Sequence, residues 1–160
     1  MLKRVFDILL SVAGIFFFLP VFMLICYLIY FSEGAPIFFL QDRIGKGGRI
    51  FKLIKFRSMK TSRFAHIDVD LLKNDSRVTK VGAFLRSTAM DELPQLINIL
   101  KGEMSFVGPK PLPYVIEDIE KEQFSYLDQV PGYVQRIKVL PGLTGLAQIY
   151  APKNSNRQQK

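Results

Sequence analysis

The sequence predicts a mixed, helix-rich fold, α/β in the loose α+β sense, fastened to a membrane through its N-terminal segment. Three observations carry this expectation. Residues Val5 to Phe31 form one long apolar stretch whose only charge is Asp7, and about 20 apolar residues suffice to cross a bilayer. Short apolar runs of strand length, Ile50–Arg57 and Met104–Val107, alternate with a segment in which Leu93, Leu96, Ile97 and Leu100 recur at helical spacing. No Gly-x-Gly-x-x-Gly follows a strand-like run, so a Rossmann unit is not expected.

The chain has 160 residues, enough for one domain with an appendage. The division expected is a membrane segment over 1–32 and a cytoplasmic domain over 33–160. The net charge is +8 and the pI about 9.7. Such a balance favours anionic partners: nucleic acid, lipid headgroups or a phosphorylated substrate. A mean hydropathy of +0.17 is high for so basic a chain, which implies that apolar residues are concentrated in one place. Cys26 is the single cysteine and His66 the single histidine. An intramolecular disulfide, a multi-cysteine zinc site, a histidine metal cluster and a Ser-His-Asp triad are therefore excluded.

The apolar stretch is too long for a signal-peptide h-region, and no small-x-small cleavage site follows it. Pro20 lies near its middle, where it removes a backbone donor and orphans the carbonyl of Phe16. Two solutions remain open at this level: a spanning helix, or a re-entrant helix-break-helix that returns to the side it entered. Lys3 and Arg4 precede the stretch; Arg43, Lys46, Arg49, Lys52, Lys55, Arg57 and Lys60 follow it. Positive flanks favour the cytoplasmic side. A re-entrant hairpin would keep both on one face.

Ile37–Leu40 reads as a strand or an interfacial run, and Gln41–Gly48 as a turn-rich loop. Ile50–Arg57 interleaves Phe and Ile with Lys and Arg. That pattern suits single-stranded nucleic acid and a membrane surface alike, and the neighbouring apolar segment favours the membrane. Lys46-Gly47-Gly48 lacks the spacing of a P-loop. Residues 61 to 80 read as polar loop plus a short helix, with His66 at the surface.

Asp91 and Glu92 then open an amphipathic helix that runs to Lys101 and stops at Gly102. Thr88 is placed to cap it, with Asp91 three residues on. A helix N-terminus lowers the pKa of a carboxylate and attracts phosphate. Asp91 is thus a candidate nucleophile and Glu92 a candidate magnesium ligand; the plainer reading, acids that cap and solvate a helix end, explains the same pattern. Gly108-Pro109-Lys110-Pro111 makes a rigid turn that presents a cation, or simply an exposed loop lysine. Tyr114–Leu127 reads as an acidic-faced helix broken at Pro131-Gly132, and Val134–Leu140 as a strand. The tail from Pro152 is polar.

Taken in order, several runs resemble the small monotopic phosphoglycosyl transferases, the bacterial sugar transferase family that starts polyprenyl-linked glycan assembly. They are Lys3-Arg4-Val5-Phe6-Asp7, Gln41-Asp42-Arg43-Ile44-Gly45, Phe51-Lys52 through Lys55-Phe56-Arg57-Ser58-Met59, Asp75 through Gly82, Leu85-Arg86, Asp91-Glu92-Leu93-Pro94-Gln95-Leu96, Ser105 through Pro111, and Pro141 through Gln148. Each run alone is weak; the ordered set is specific and covers nearly the whole chain.

The resemblance implies an enzyme on the cytoplasmic face of the bacterial inner membrane, held by a re-entrant helix broken at Pro20. It implies transfer of a sugar phosphate from a UDP-sugar to polyprenol (undecaprenyl) phosphate, with Mg2+ and release of UMP. Carried over by motif, Asp91 is the nucleophile, Glu92 the magnesium ligand and Arg86 an orienting cation. Lys110, Arg43, Lys55, Arg57 and Arg77 are the substrate-binding candidates. A homodimer or a glycan-assembly partner is compatible with it; a nucleic-acid partner would leave Asp91 and Glu92 without a role. The sequence departs from the family pattern in three places. Lys110 stands where the family has Arg and so lacks bidentate phosphate geometry. Leu19 stands where Ser often precedes the membrane proline. The chain also stops soon after Gly145-Leu146-Ala147-Gln148, so it is expected to be short at its C-terminus, with an impaired, partner-like family member as the alternative to an active enzyme.

Overall fold

The computed structural model describes residues 2–60, 77–114 and 132–145. The helix expected over Tyr114–Leu127, the short helix and His66 expected within 61–80, and the polar tail fall largely or wholly outside these residues.

The apolar stretch forms one helix, α1 (Leu2–Glu33). At about 1.5 Å per residue it is roughly 48 Å long. Among the described residues it is the one helix long and apolar enough to cross a membrane. It runs through Pro20, so the break expected there is not seen as an interruption of the helix: a proline removes a single N–H and leaves the other turns bonded. The helix ends where Gly34, at φ 71°, donates its N–H to Tyr30 O at 2.9 Å. This is the left-handed residue that commonly stops a helix.

Both ends of α1 are fastened to the rest of the protein. At the start, Arg4 donates from Nη1 to Ile99 O and from Nη2 to Leu100 O, and Lys3 Nζ donates to Val107 O at 2.8 Å. Asp7 is buried, and its Oδ1 accepts from Ser105 Oγ at 3.0 Å and from Phe106 N at 3.2 Å. Gly14 lies against Leu96. At the far end, Ile25 and Ile29 are buried with Phe56 and Leu85. The opposite face, including Phe6, Leu9, Phe16, Phe17, Met23, Leu24 and Phe31, is exposed. An apolar face this long is an interaction surface, not a solvated one.

The chain then forms a hairpin of β1 (Phe38–Ile44) and β2 (Ile50–Phe56), antiparallel, with Asp42 opposite Lys52 and Arg43 opposite Phe51. The loop expected from Gln41 is thus strand as far as Ile44. Alternation explains this: Gln41 and Arg43 face inward with Phe51 and Leu53, and their polar ends find partners there. A short β4 (Leu112–Pro113) pairs with the other edge of β1.

Helix α2 (Lys80–Ser87) is capped by Thr79, whose Oγ1 accepts the Gly82 N–H at 2.9 Å. A Cβ on Gly82 would collide with the carbonyl of Ser58, so only glycine lets α2 approach β2 this closely. Helix α3 (Gln95–Lys101) stops at Gly102, φ 84°, as expected. Strands β3 (Ser105–Val107) and β5 (Gly142–Thr144) form a parallel pair. Among the described residues this is the only parallel pairing, and the architecture is mixed helix and sheet. The strand expected over Val134–Leu140 is instead a short helix, α4 (Tyr133–Arg136), followed by turn. Gly132 at φ 76° redirects the chain, and the N–H groups of Arg136 and Ile137 then bond back to Gly132 O and Tyr133 O, so they are not free for a sheet.

Two buried clusters hold the layers. Phe51 and Leu53 pack with Leu96, Ile99 and Met104; Phe56 and Leu85 pack with Ile25 and Ile29. Among the described residues the outer edge of β2 has no strand partner. Asn98, fully buried on α3, serves as one: its Oδ1 accepts the Ile54 N–H at 3.0 Å and its Nδ2 donates to Lys52 O at 2.8 Å and to Glu103 Oε2 at 2.6 Å. Replacing Asn98 by Ala strands those backbone groups. A loss of about 2–3 kcal/mol is expected, measured as chemical unfolding in detergent; an unchanged midpoint would show that the strand edge needs no such partner.

Candidate active site

Asp91 and Glu92 lie on a short 3-10 turn, Met90–Glu92, between α2 and α3. The helix they were expected to open starts only at Gln95, after Pro94. Thr88 does not cap it. Its hydroxyl donates backwards, to Phe84 O at 2.9 Å and Leu85 O at 3.2 Å, and so closes α2. The physical reason is Ala89, which takes the left-handed conformation, φ 58°, ψ 15°. An alanine held there costs on the order of 1 kcal/mol. The kink separates the hydroxyl of Thr88 from the turn that follows and swings Asp91 inward.

Two apolar residues compensate. Met90 and Leu93 pack on the cluster of Phe56, Leu85, Ile25 and Ile29. They bracket the two acids, so the turn is pinned directly onto the far half of α1. Asp91 between them is buried. Glu92 is half-buried and forms an ion pair with Lys55, Oε1 to Nζ 3.0 Å. Lys55 is on β2, on the same inward face as Phe51 and Leu53. The structure therefore brings Asp91, Glu92 and Lys55 together. Arg86 is on the last turn of α2, one turn ahead of the acids.

The remaining candidates are placed elsewhere. Arg57 is buried at the end of β2, where its Nη2 donates to Gly34 O at 2.6 Å and holds the end of α1. Its Nε is buried without a hydrogen-bond partner among the described residues. Arg77 precedes the Met59–Val78 bridge, and its carbonyl accepts the Lys60 N–H at 2.8 Å. Arg43 is buried and fixes Gln41, with Nε and Nη2 both donating to Gln41 Oε1, at 3.0 and 2.6 Å. Its Nη1 donates to Pro111 O at 3.0 Å. Lys110 lies on the turn between β3 and β4, where it lines a shallow cleft with Arg136, Ile137 and Val139. Arg43 is opposite Phe51, so the stretch of β2 from there to Lys55 is about 13 Å at roughly 3.3 Å per residue. Lys110 therefore lies toward the other end of the hairpin from Lys55 and its partner Glu92.

The turn bearing Lys110 depends on a close backbone crossing. A Cβ on Gly142 would strike the Gly108 backbone, and one on Gly108 would strike Leu140 O. Glycines at both positions let Gly142 N donate to Pro109 O at 2.9 Å and Gly108 N to Thr144 O at 3.0 Å.

The sequence matches the bacterial sugar transferase family model over residues 1–160. It is 42% identical over 164 residues to the exopolysaccharide production protein ExoY of Rhizobium meliloti, covering 93% of this chain and 69% of that protein. It is 44% identical over 149 residues to the UDP-glucose:undecaprenyl-phosphate glucose-1-phosphate transferase of Escherichia coli. It is 40% identical over 152 residues to the UDP-N-acetylgalactosamine-undecaprenyl-phosphate N-acetylgalactosaminephosphotransferase of Aeromonas hydrophila. The chain spans about a third of each of the last two, 31% and 34% of their lengths. The chain belongs to the bacterial sugar transferase family.

The Lys55–Glu92 pair is part-exposed, at 17% and 29% of its side chains. Lys55→Gln is therefore expected to lower stability by about 1 kcal/mol or less, read from thermal unfolding in detergent. A loss of several kcal/mol would assign the pair to the scaffold instead of the site.

Proposed function

We propose that this chain transfers a sugar-1-phosphate from a UDP-sugar to polyprenol phosphate at the cytoplasmic face of the inner membrane, as the first step in building an exopolysaccharide or related glycan. One observation carries the reading: a buried carboxylate, Asp91, with a lysine-paired neighbour, Glu92, on a turn pinned to the apolar helix. A reaction between a soluble nucleotide sugar and a lipid phosphate needs its nucleophile at that boundary.

Asp91 attacks the β-phosphorus of the UDP-sugar. The bond from that phosphorus to the bridging oxygen breaks, its electron pair leaves with UMP, and an aspartyl phospho-sugar remains. An oxygen of polyprenol phosphate then attacks the same phosphorus and expels the Asp91 carboxylate, giving the polyprenyl diphosphate sugar. Such transfers need positioning and charge neutralisation more than proton transfer. Lys55 supplies a cation beside Glu92, and Arg86 and Lys110 are the other cations proposed to face the phosphates.

The donor set fits magnesium, which commonly takes one or two carboxylates together with substrate phosphates. Glu92 is the proposed ligand, with Asp91 adjacent, and the ion when bound neutralises charge on the diphosphate.

Re-entrance of α1 is part of the proposal. A transbilayer helix would carry one end roughly 30 Å from the other side. Here Lys3 and Arg4 at one end and Gly34 at the other are bonded to the same body, which supports both ends lying on the cytoplasmic side.

Relatives named for glucose and for N-acetylgalactosamine transfer set the panel for the test. UMP release is measured from UDP-glucose, UDP-galactose and their N-acetyl forms, with nanodisc-held protein, magnesium and polyprenol phosphate. One donor is expected to respond. Asp91→Asn should lower its rate at least about a thousandfold, and chelation of magnesium should abolish it. Release that survives Asp91→Asn would refute the assignment of the nucleophile.

A further inference from the structure

Lys110 stands on a turn whose three consecutive carbonyls are each held by a different element. Pro109 O accepts the Gly142 N–H of β5 at 2.9 Å. Lys110 O accepts from Arg136 Nη2 of α4 at 3.2 Å. Pro111 O accepts from Arg43 Nη1 of β1 at 3.0 Å. The two prolines fix φ on either side of the lysine and offer no N–H of their own. The Arg136 segment is itself tied down, because Ile137 O accepts the Gly47 N–H from the hairpin turn at 2.7 Å.

Holding a loop in this way with a guanidinium is expensive. Burial pushes the pKa of Arg136 below its ordinary value, a sign that the charge is partly desolvated. A turn that needed only to be folded could be closed by backbone hydrogen bonds. Two arginines spent on adjacent carbonyls instead fix where the lysine stem begins. That matters for this residue type, since a lysine is a flexible point charge that loses more freedom per contact than an arginine fork. Arg136 and Lys110 also line the same cleft.

We propose that Arg136 is a positioning residue: by gripping the Lys110 carbonyl, opposite Arg43 on Pro111, it aims the Lys110 ammonium at a phosphate of the substrate. This rests on the reading of Lys110 as a phosphate ligand. Arg136 touches no substrate itself and acts through Lys110.

A double-mutant cycle separates the two ideas. Lys110→Ala keeps the carbonyl and removes the ammonium. In nanodiscs, with the responding UDP-sugar, Lys110→Ala and Arg136→Ala are each expected to lower kcat/KM roughly tenfold. The pair together should be no worse than Lys110→Ala alone within about twofold, because a misplaced stem costs nothing once its charge is gone. Thermal unfolding of each variant controls for folding, and if Arg136→Ala does not fold, the cycle is run with Arg136→Gln under the same criterion. A silent Lys110→Ala would overturn the reading of Lys110, and the positioning role with it. An active Lys110 with a full tenfold loss from the arginine change in both backgrounds would overturn the positioning role alone.

Discussion

The constraint on which this structure depends is that α1 keeps both of its ends on the body it anchors. An apolar helix of this length has no need of a soluble domain along its side. Yet Arg4 bonds carbonyls at the end of α3, Asp7 is buried against β3, and Ile29 is buried against Phe56 on β2. The polar contacts at the first turns and the apolar ones further on set one face against the protein and leave the other, apolar face exposed. The charges inside the helix's first two turns are tolerated because they are bonded, and a buried carboxylate without such donors would cost several kcal/mol.

The candidate site follows from that arrangement. Asp91 and Glu92 are not on a long helix but on a single turn, strained at Ala89 and pinned by Met90 and Leu93 to the same cluster as α1. The apolar helix is thus part of the floor of the candidate site. Lys55 reaches Glu92 because β2 is held against α3, and that contact runs through Asn98, which replaces a missing strand with one side chain. At the other end of the sheet, glycine at 108 and 142 and the arginines at 43 and 136 set the turn that carries Lys110. The two ends are joined by one hairpin.

Much of this was legible in the sequence. The apolar run gave α1 because composition alone decides it, and the strand at Ile50 and the stop at Gly102 followed from alternation and from a glycine's left-handed freedom. The acids at 91 and 92 could be singled out from their neighbours. Their local structure could not, because whether Thr88 closes one helix or opens the next depends on the φ of Ala89, which no propensity foretells. Val134–Leu140 looked like a strand from its residues, but its first N–H groups bond locally in a short helix that follows Gly132. Arg43 and Arg57 were singled out by motif; their bonds to Gln41 and Pro111 and to Gly34 are tertiary contacts that no motif foretells. Asn98 and Arg136 gave only faint signals: a polar residue on an apolar helix face, and one of two cations in a run that read as strand.

The proposed chemistry turns on a covalent bond from Asp91 to phosphorus at this turn. The most direct test is to mix the protein with a UDP-sugar carrying labelled β-phosphate, without lipid acceptor, and to map the label. Label is expected on the peptide containing Asp91, sensitive to hydroxylamine and discharged into the lipid fraction when polyprenol phosphate is added. Turnover in the presence of acceptor with no labelled protein under any condition, or label on another residue, would contradict it.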